Sequence, residues 1–321
     1  MLSIRKTYDA YNKSNKVNYS KGEKETEKRG RMFLQIENRR LRSTSPAFQN
    51  ALPPPPSSPS FSQDQLWDLI GASDIDLADI ASVLDKAERL PWRQRAQVEQ
   101  VIQTRHFRDW ITSPYSTKLL IHWERSPPQN IGNISPLSTF LASLTQMFRQ
   151  NGTRFIAAAW FCTENLDPWI ENGTHDARAM VLGLIGQILR QHHFQMAASP
   201  FETGEINIGA LQAGDLATLI AVLGWLVREL PETITLVFLI DSVASYEEDK
   251  GMREALAFLL RLVGDHDLRA AVKVVFASAP GTSIVRKAFE SEDLILNIEV
   301  LPQLAWMPSE ERMGRELSSM V

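Results

Sequence analysis

Residues 233–241 read TITLVFLID, and this stretch decides the fold. A strand with one face in water alternates polar and apolar residues, whereas Leu236 to Ile240 are apolar without interruption. Such continuous runs are typical of strands in parallel sheets, which are covered by helices on both faces. The stretch therefore predicts a buried strand of an α/β protein, with Asp241 at its carboxyl end.

Four more stretches predict strands of the same kind, and amphipathic segments with helical spacing separate them. Strands that are joined by crossover helices pair in parallel. The sequence thus predicts a three-layer α/β fold with a mostly parallel, five-stranded sheet. The four stretches are STKLLIHW at 116–123, RFIAAAWFC at 154–162, AVKVVFASA at 271–279 and DLILNIEV at 293–300.

The loop after the first strand is the first place to look for chemistry, because ligands of open α/β sheets bind at the carboxyl ends of strands. A phosphate-binding P-loop there would read GxxxxGK[ST]. The loop from Glu124 to Ser138 reads ERSPPQNIGNISPLS instead, with Gly132 as its single glycine, three prolines and no lysine. Each proline removes a backbone donor. The loop therefore predicts the loss of tight magnesium-nucleotide binding by the usual route.

The carboxyl end of the 233–241 strand is the second place. Apolar residues that end in an aspartate form the Walker B arrangement, in which the carboxylate orients magnesium. Ser242 occupies the place of the second acidic group that many such enzymes use as a base, and Glu247 and Glu248 come too late to fill it. Aspartate also commonly caps loops and helices, and that interpretation is preferred. Asp241 is treated as a Walker B remnant.

Weaker candidates complete the predicted site. Ser135 and Ser138 lie at the start of the helix that follows the loop, where free N–H groups can bind an anion without a lysine. With Asp241 they are the candidate cofactor-binding residues, and no metal site is predicted. After the fourth strand, Ser278 occupies a sensor-like position, and Arg286 is interpreted as a surface residue of the next helix.

Six stretches, taken in order and spacing, point to a known family. They are FRDWITSPYSTKLLIHW (107–123), ISPLSTFLASL (134–144), AAAWFC (157–162), GLIGQILRQ (183–191), TLVFLIDSVASYEE (235–248) and VKVVFASAP (272–280). Through them, residues from about 110 to 300 resemble the NACHT-type and related STAND NTPase modules of fungal NOD-like proteins, and more closely a group of fungal proteins with a degenerate version. The resemblance implies a sheet of P-loop NTPase type with a helical N-terminal lead-in. It does not carry over nucleotide-switched oligomerisation, because only Asp241 matches a catalytic position.

Composition divides the chain into four parts. Residues 1–60 are predicted to be a disordered, basic and proline-rich tail; residues 1–43 hold twelve Lys and Arg against five Asp and Glu, although the whole chain has a net charge of −4. Residues 61–109 are predicted to be a helical lead-in. Residues 110–302 are the degenerate P-loop NTPase-like domain, and residues 303–321 a C-terminal tail.

The single cysteine, Cys162, and the lack of a signal sequence predict an intracellular protein. A cytoplasmic location is expected, with the nucleus as the alternative. The leading hypothesis is a pseudo-NTPase that acts as an interaction or scaffold protein, with unidentified protein partners and no cofactor. The alternative is an atypical ATPase that binds ATP and magnesium through Asp241. A nucleic-acid binder with a basic tail is the least favoured hypothesis, and neither a membrane nor a given oligomeric state is predicted.

Overall fold

The computed structural model describes most of the chain from residue 61 onward. The predicted tail, residues 1–60, lies outside the described residues, as do Gly132, Cys162 and Pro280. The described residues are 61–124, 128–131, 134–161, 177–196, 199–278, 282, 284–289, 294–302 and 306–320.

Over these residues the chain forms eleven α-helices and five β-strands. Short 3-10 helices span Gln100–Gln103, Val243–Tyr246 and Ile298–Val300. In chain order the elements are α1 (Gln63–Leu69), α2 (Ile75–Ala87), α3 (Trp92–Glu99), α4 (Arg105–Thr112), β1 (Thr117–His122), α5 (Pro136–Gln150), β2 (Phe155–Phe161), α6 (Ala177–Gln191), α7 (Ile208–Gln212), α8 (Leu216–Glu229), β3 (Thr235–Asp241), α9 (Lys250–Val263), β4 (Ala271–Ser278), α10 (Ile284–Lys287), β5 (Leu294–Asn297) and α11 (Glu310–Met320).

The five strands form one sheet in the order β2-β3-β4-β1-β5, and every neighbouring pair is parallel. The predicted five-stranded sheet is confirmed, and it is wholly rather than mostly parallel. His122, the last residue of β1, lies opposite Ser278 of β4 and Asn297 of β5. The carboxyl ends of the strands therefore bring these polar residues to one edge of the sheet, called the carboxyl edge below.

Helices cover both faces, because both faces of the strands are apolar. On one face, α6, α8 and α9 pack against the strands through residues such as Leu236, Phe238 and Val274. On the other face, α2 to α5 and α11 pack against alternate residues such as Val237, Leu239 and Val275. The result is three layers with two hydrophobic cores, one on each side of the sheet.

Two predicted boundaries need correction. The last strand is predicted over 293–300, but β5 ends at Asn297, because its side chain accepts a hydrogen bond from the Glu299 backbone N–H and starts a 3-10 turn. Residues 303–321 are predicted to be a tail, but α11 forms within them. Met313 and Leu317 of α11 are buried in the second core, so this segment is part of the fold.

Side chains cover the free edge of β2. The Gln187 amide on α6 donates to the Ala159 carbonyl and accepts from the Ala159 N–H, at 2.8 and 2.7 Å. Gln191 makes the same pair of bonds with Ala157, and Arg149 of α5 also donates to the Ala157 carbonyl. The glutamines thus replace a neighbouring strand. An unpaired edge would otherwise be open to pairing with another chain.

A buried ion cluster joins helix α2 to both helix α5 and helix α6. The Asp76 carboxylate on α2 lies 2.8 Å from a guanidinium nitrogen of Arg149 and 2.6 Å from one of Arg190, and Arg190 also pairs with Asp74. Asp76 and both arginines are largely shielded from solvent.

Among the described residues, no helix is long and apolar enough to cross a membrane.

Candidate functional site

The carboxyl edge contains a topological switch point between β1 and β4. After β1 the chain turns to the face that carries α5, whereas after β4 it turns to the opposite face, where Val285 and Phe289 around α10 join the other core. Adjacent parallel strands whose connections leave to opposite faces open a crevice, and α/β proteins bind ligands there. The predicted residues Ser135, Ser138 and Asp241 belong to this edge.

Ser135 and Ser138 form a reciprocal cap at the start of α5. The Ser138 N–H donates to Ser135 Oγ, the Ser135 N–H donates to Ser138 Oγ, and the two oxygens are 3.0 Å apart. Both side chains are buried. The N–H groups of Ser135, Ser138 and Thr139 at this helix start are therefore already paired within the protein.

The preceding loop also pairs two of its N–H groups internally. Ile131 and Ile134 exchange two backbone hydrogen bonds, and Pro136 has no N–H to give. If Ser138 is taken as the serine of GxxxxGK[ST], Leu137 stands at the lysine position and Pro136 at the second glycine. The Leu137 side chain is fully buried in the core, so it replaces the lysine by a packing residue.

Asp241 lies next to this cap. Ser138 donates a side-chain hydrogen bond to the Asp241 carboxylate, and both the hydroxyl and the backbone N–H of Ser242 donate to it as well. The residue is 1% exposed, and its Oδ2 has no hydrogen-bond partner. Burial raises the pKa of Asp241 to about 6, although the three hydrogen bonds act in the opposite direction. The structure thus brings Ser135, Ser138 and Asp241 into one hydrogen-bonded group.

Ser242 adopts a left-handed backbone conformation, with φ 51° and ψ 39°. It is the one non-glycine residue with positive φ in the described part of the chain. For a residue with a Cβ atom this conformation costs about 1–2 kcal/mol. It turns the Ser242 N–H and hydroxyl back towards Asp241, so local strain is retained where the hydrogen bonds to the carboxylate are made.

Glu247 has a structural role at the same edge. Its buried carboxylate accepts hydrogen bonds from the backbone N–H groups of Ile284 and Val285, at 3.0 and 2.8 Å. It therefore caps α10 and ties the segment after β3 to the segment after β4. This agrees with its exclusion from the position of the second acidic group, which Ser242 occupies.

His122 and Arg286 meet at the end of β1, and the sequence did not reveal this contact. The Arg286 guanidinium lies 3.3 Å from His122 Nε2, so the histidine accepts through an unprotonated nitrogen. Burial, and then the nearby charge of Arg286, lower the pKa of His122. Arg286 is exposed on its helix, as predicted, but its head group reaches the strand end. Glu124 accepts from Asn297 beside them.

The lysines near the sheet are committed elsewhere. Lys118 Nζ donates to the Ala288 carbonyl and lies over the Phe289 ring. Lys273 is buried in β4, where it pairs with Thr117 at the start of β1, the end of the sheet opposite to Asp241. Its ammonium donates to the carbonyls of Ser113 and Tyr115, and burial lowers its pKa to about 8. Neither ammonium group can serve a phosphate at the carboxyl edge.

These residues do not fit a bound magnesium-nucleotide. Magnesium needs an octahedral shell that retains several waters, whereas Asp241 and Ser138 are enclosed by protein. The phosphates would need N–H donors and a cation, whereas the N–H groups of Ser135, Ser138 and Thr139 are paired, and Lys118 and Lys273 donate to carbonyls elsewhere. No group of three or more His, Cys, Asp or Glu side chains within the described residues could hold a metal ion. No protein-family model matches this chain, and no curated protein matches it by sequence.

Proposed function

We propose that this protein is a pseudo-NTPase: a sheet of P-loop NTPase type that has lost nucleotide hydrolysis and acts as an interaction or scaffold module. The strand order supports the fold assignment, because it lets a serine at the start of α5 meet an aspartate at the end of β3. In P-loop NTPases the corresponding serine or threonine and the Walker B aspartate share the magnesium ion. The chain retains this pair as Ser138 and Asp241.

One observation carries the loss of activity. The positions of the P-loop lysine and second glycine hold Leu137 and Pro136, and both are buried. The lysine supplies the charge that reaches the terminal phosphates, and the glycines let backbone N–H groups approach them. A buried leucine and a proline supply neither, so the scaffold remains without its phosphate-binding chemistry.

Exposed apolar side chains support the interaction role. Trp306 and Met307 are adjacent and 49% and 60% exposed, and Val300 is 73% exposed. Apolar groups of this size on the surface are frequent at protein-protein contacts, where tryptophan and methionine are enriched. The proposed partners are therefore other proteins.

A second function rests on the two unusual features of the carboxyl edge. The unpartnered Oδ2 of Asp241 and the strained backbone of Ser242 are costs that a purely structural aspartate does not explain. An atypical ATPase that opens this edge, coordinates magnesium through Asp241 and binds phosphates near Ser135 and Ser138 would account for both. The two functions make opposite predictions for nucleotide binding.

Calorimetric titration of the full chain with ATP, ADP and GTP in the presence of magnesium separates them. The pseudo-NTPase predicts no binding tighter than about 0.1 mM, a free energy of roughly −5.5 kcal/mol. The matched variants are Asp241→Asn and Asp68→Asn, of which the second changes an exposed aspartate on α1. Tighter binding that disappears in Asp241→Asn and persists in Asp68→Asn would replace the pseudo-NTPase by the atypical ATPase.

A further inference from the structure

The two outer strands of the sheet, β2 and β5, differ in how their free edges are covered. At β2, the side chains of Gln187, Gln191 and Arg149 bond the outward N–H and C=O groups. At β5, no side chain of the described residues bonds the backbone of the strand. The β5 edge therefore depends on which of its backbone groups point outward.

The direction of the backbone groups in β1 follows from one hydrogen bond. The Trp123 N–H donates to the Ser278 carbonyl, so it points towards β4. The backbone groups of successive residues in a strand point to opposite sides. Those of His122 and Leu120 therefore point towards β5, which lies on the other side of β1.

The same pattern identifies the outward groups of β5. A residue that faces a parallel neighbour bonds the two residues that flank its partner. Leu120 has Ile295 as its partner, so it bonds Leu294 and Leu296, and Ile295 points away from β1. Asn297 points outward as well, but its carbonyl begins the following 3-10 turn. The Ile295 N–H and C=O and the Asn297 N–H remain, and none of them has a hydrogen-bond partner among the described residues.

An added strand would also extend both hydrophobic cores. Ile295 is partly exposed and packs against one core, and Leu294 is partly exposed and packs against the other. A buried backbone N–H or C=O is nearly always paired, so the free groups of this edge meet water or a partner. Only an extended backbone offers donors and acceptors at the spacing of a strand, and such a segment would cover Leu294 and Ile295 with its side chains.

The charges around β5 select against a second copy of this chain. Antiparallel pairing of two β5 strands would bring the acidic residues after the strand in one copy towards those before it in the other. Like charges that lie opposite one another destabilise a strand pair. A segment with basic residues meets no such repulsion. Residues 290–300 contain no lysine or arginine and four acidic residues, namely Glu290, Glu292, Asp293 and Glu299.

We propose that the outer edge of β5 binds an extended segment of another protein, which adds a sixth strand to the sheet. The segment has apolar or β-branched residues in its centre and lysine or arginine at its ends. The inference rests on the interaction role proposed above and gives that role a surface. It does not depend on whether nucleotide binds beside Asp241.

The experiment uses the ¹⁵N-labelled full chain and the capped heptapeptide Lys-Lys-Val-Thr-Val-Lys-Lys as the probe. Without peptide, the Ile295 and Asn297 amides should exchange with solvent at least 100-fold faster than the Leu296 amide, which is bonded to β1. The peptide is expected to shift the Ile295 and Asn297 resonances along a saturating curve in the millimolar range, as suits so small an interface. Glu-Glu-Val-Thr-Val-Glu-Glu is expected to bind at least tenfold more weakly.

Two variants at one position make the test specific to the backbone. Ile295→Pro removes the outward N–H, which an edge strand tolerates, and should weaken peptide binding at least tenfold. Ile295→Ala loses the same side chain but keeps the N–H, and should bind within threefold of the natural chain. Binding is read from the Asn297 resonance, and unchanged amide resonances of β2 and β3 show that each variant is folded.

Four results would overturn the proposal. They are equal exchange rates for Ile295 and Leu296, unmoved resonances with the lysine peptide, equal binding of the glutamate peptide, and peptide binding by Ile295→Pro like that of the natural chain. Dimerisation of the natural chain in sedimentation that is lost in Ile295→Pro would assign the edge to a second copy instead. Nucleotide titration is a separate readout, so failure at this edge is distinguishable from failure of the pseudo-NTPase.

Discussion

Two buried aspartates of this protein, each with one unpartnered oxygen, are held in different ways. Asp76 lies against the guanidinium groups of Arg149 and Arg190, so cations compensate its charge. Asp241 is held by hydroxyl and N–H groups of Ser138 and Ser242, and within the described part of the chain it has no ion pair. The first arrangement joins helices from three parts of the chain. The second keeps a charge buried with dipoles alone.

Asp76 anchors helices to one another, whereas Asp241 is, in the proposed function, the remnant of a Walker B aspartate. A paired aspartate between α2, α5 and α6 fixes the position of these helices, and this is sufficient reason for its burial. A buried carboxylate that lacks a counter-ion has a shifted pKa. Groups with strongly shifted pKa values are frequent at functional sites. At the carboxyl edge the surrounding polar groups close on one another.

The largest effect is expected from removal of the anchor. Asp76→Ala leaves two guanidinium groups largely buried without their shared partner, and should lower the free energy of unfolding by roughly 3–5 kcal/mol. Urea denaturation monitored by circular dichroism measures the change. Asp109→Ala is the control, because Asp109 pairs with Arg105 in an exposed i,i+4 bridge and should cost about 0.5 kcal/mol or less. A loss below about 1 kcal/mol in Asp76→Ala would mean that other groups compensate the arginines.

The second expected effect is a pH dependence that belongs to Asp241. Its folded pKa of about 6 lies above the ordinary value of 3.8 for an aspartate, so the folded state binds the proton more tightly. Between these two values the unfolded chain ionises first, and stability falls as the pH rises. From pH ~4 to pH ~7 the natural chain should lose about 2.4 kcal/mol relative to Asp241→Asn, which does not titrate.

Urea midpoints measured across this range for both proteins give the comparison, and Asp68→Asn should keep the profile of the natural chain. Parallel profiles for Asp241→Asn and the natural chain would show that Asp241 ionises as it does in water. The contrast between the two aspartates would then fail, because Asp241 would be hydrated and its edge open.

The fold could be predicted from the local sequence, because the strands are mostly apolar runs and strands that are joined by crossover helices pair in parallel. The meeting of Ser138 and Asp241 was also predictable, since the carboxyl ends of parallel strands share one edge. The amphipathic pattern with Met313 and Leu317 was available in the sequence and would have located α11. Met313 and Leu317 are four residues apart, so in a helix they lie on one apolar face that can pack into a core.

Other features have no local signal. Asp76, Arg149 and Arg190 belong to three helices that are distant in the sequence, and only their packing brings them together. Lys273 interrupts an apolar strand, and only the folded position of the segment before β1 shows which carbonyls accept hydrogen bonds from its ammonium group. These features follow from tertiary contacts, which residue patterns do not specify.

The smallest effect tests how α6 packs on the Trp160 ring, with two glycines of α6. Gly186→Ala should stabilise the protein by roughly 0.5–1 kcal/mol through helix propensity. Its added Cβ would meet Ala72 at an ordinary 3.4 Å. Gly183→Ala gains the same propensity but pushes on the Trp160 ring at 3.1 Å. The net change should therefore lie within about 0.5 kcal/mol of zero, because crowding of packed atoms offsets the gain.

Thermal unfolding of the two variants in parallel measures the difference, and the Trp160 indole resonance reports whether the ring has moved. A shifted resonance with unchanged stability would mean that the ring yields. If Gly183→Ala stabilises as much as Gly186→Ala, the ring moves without cost. The contact between α6 and the Trp160 ring would then be soft, and it would adapt to the added methyl group.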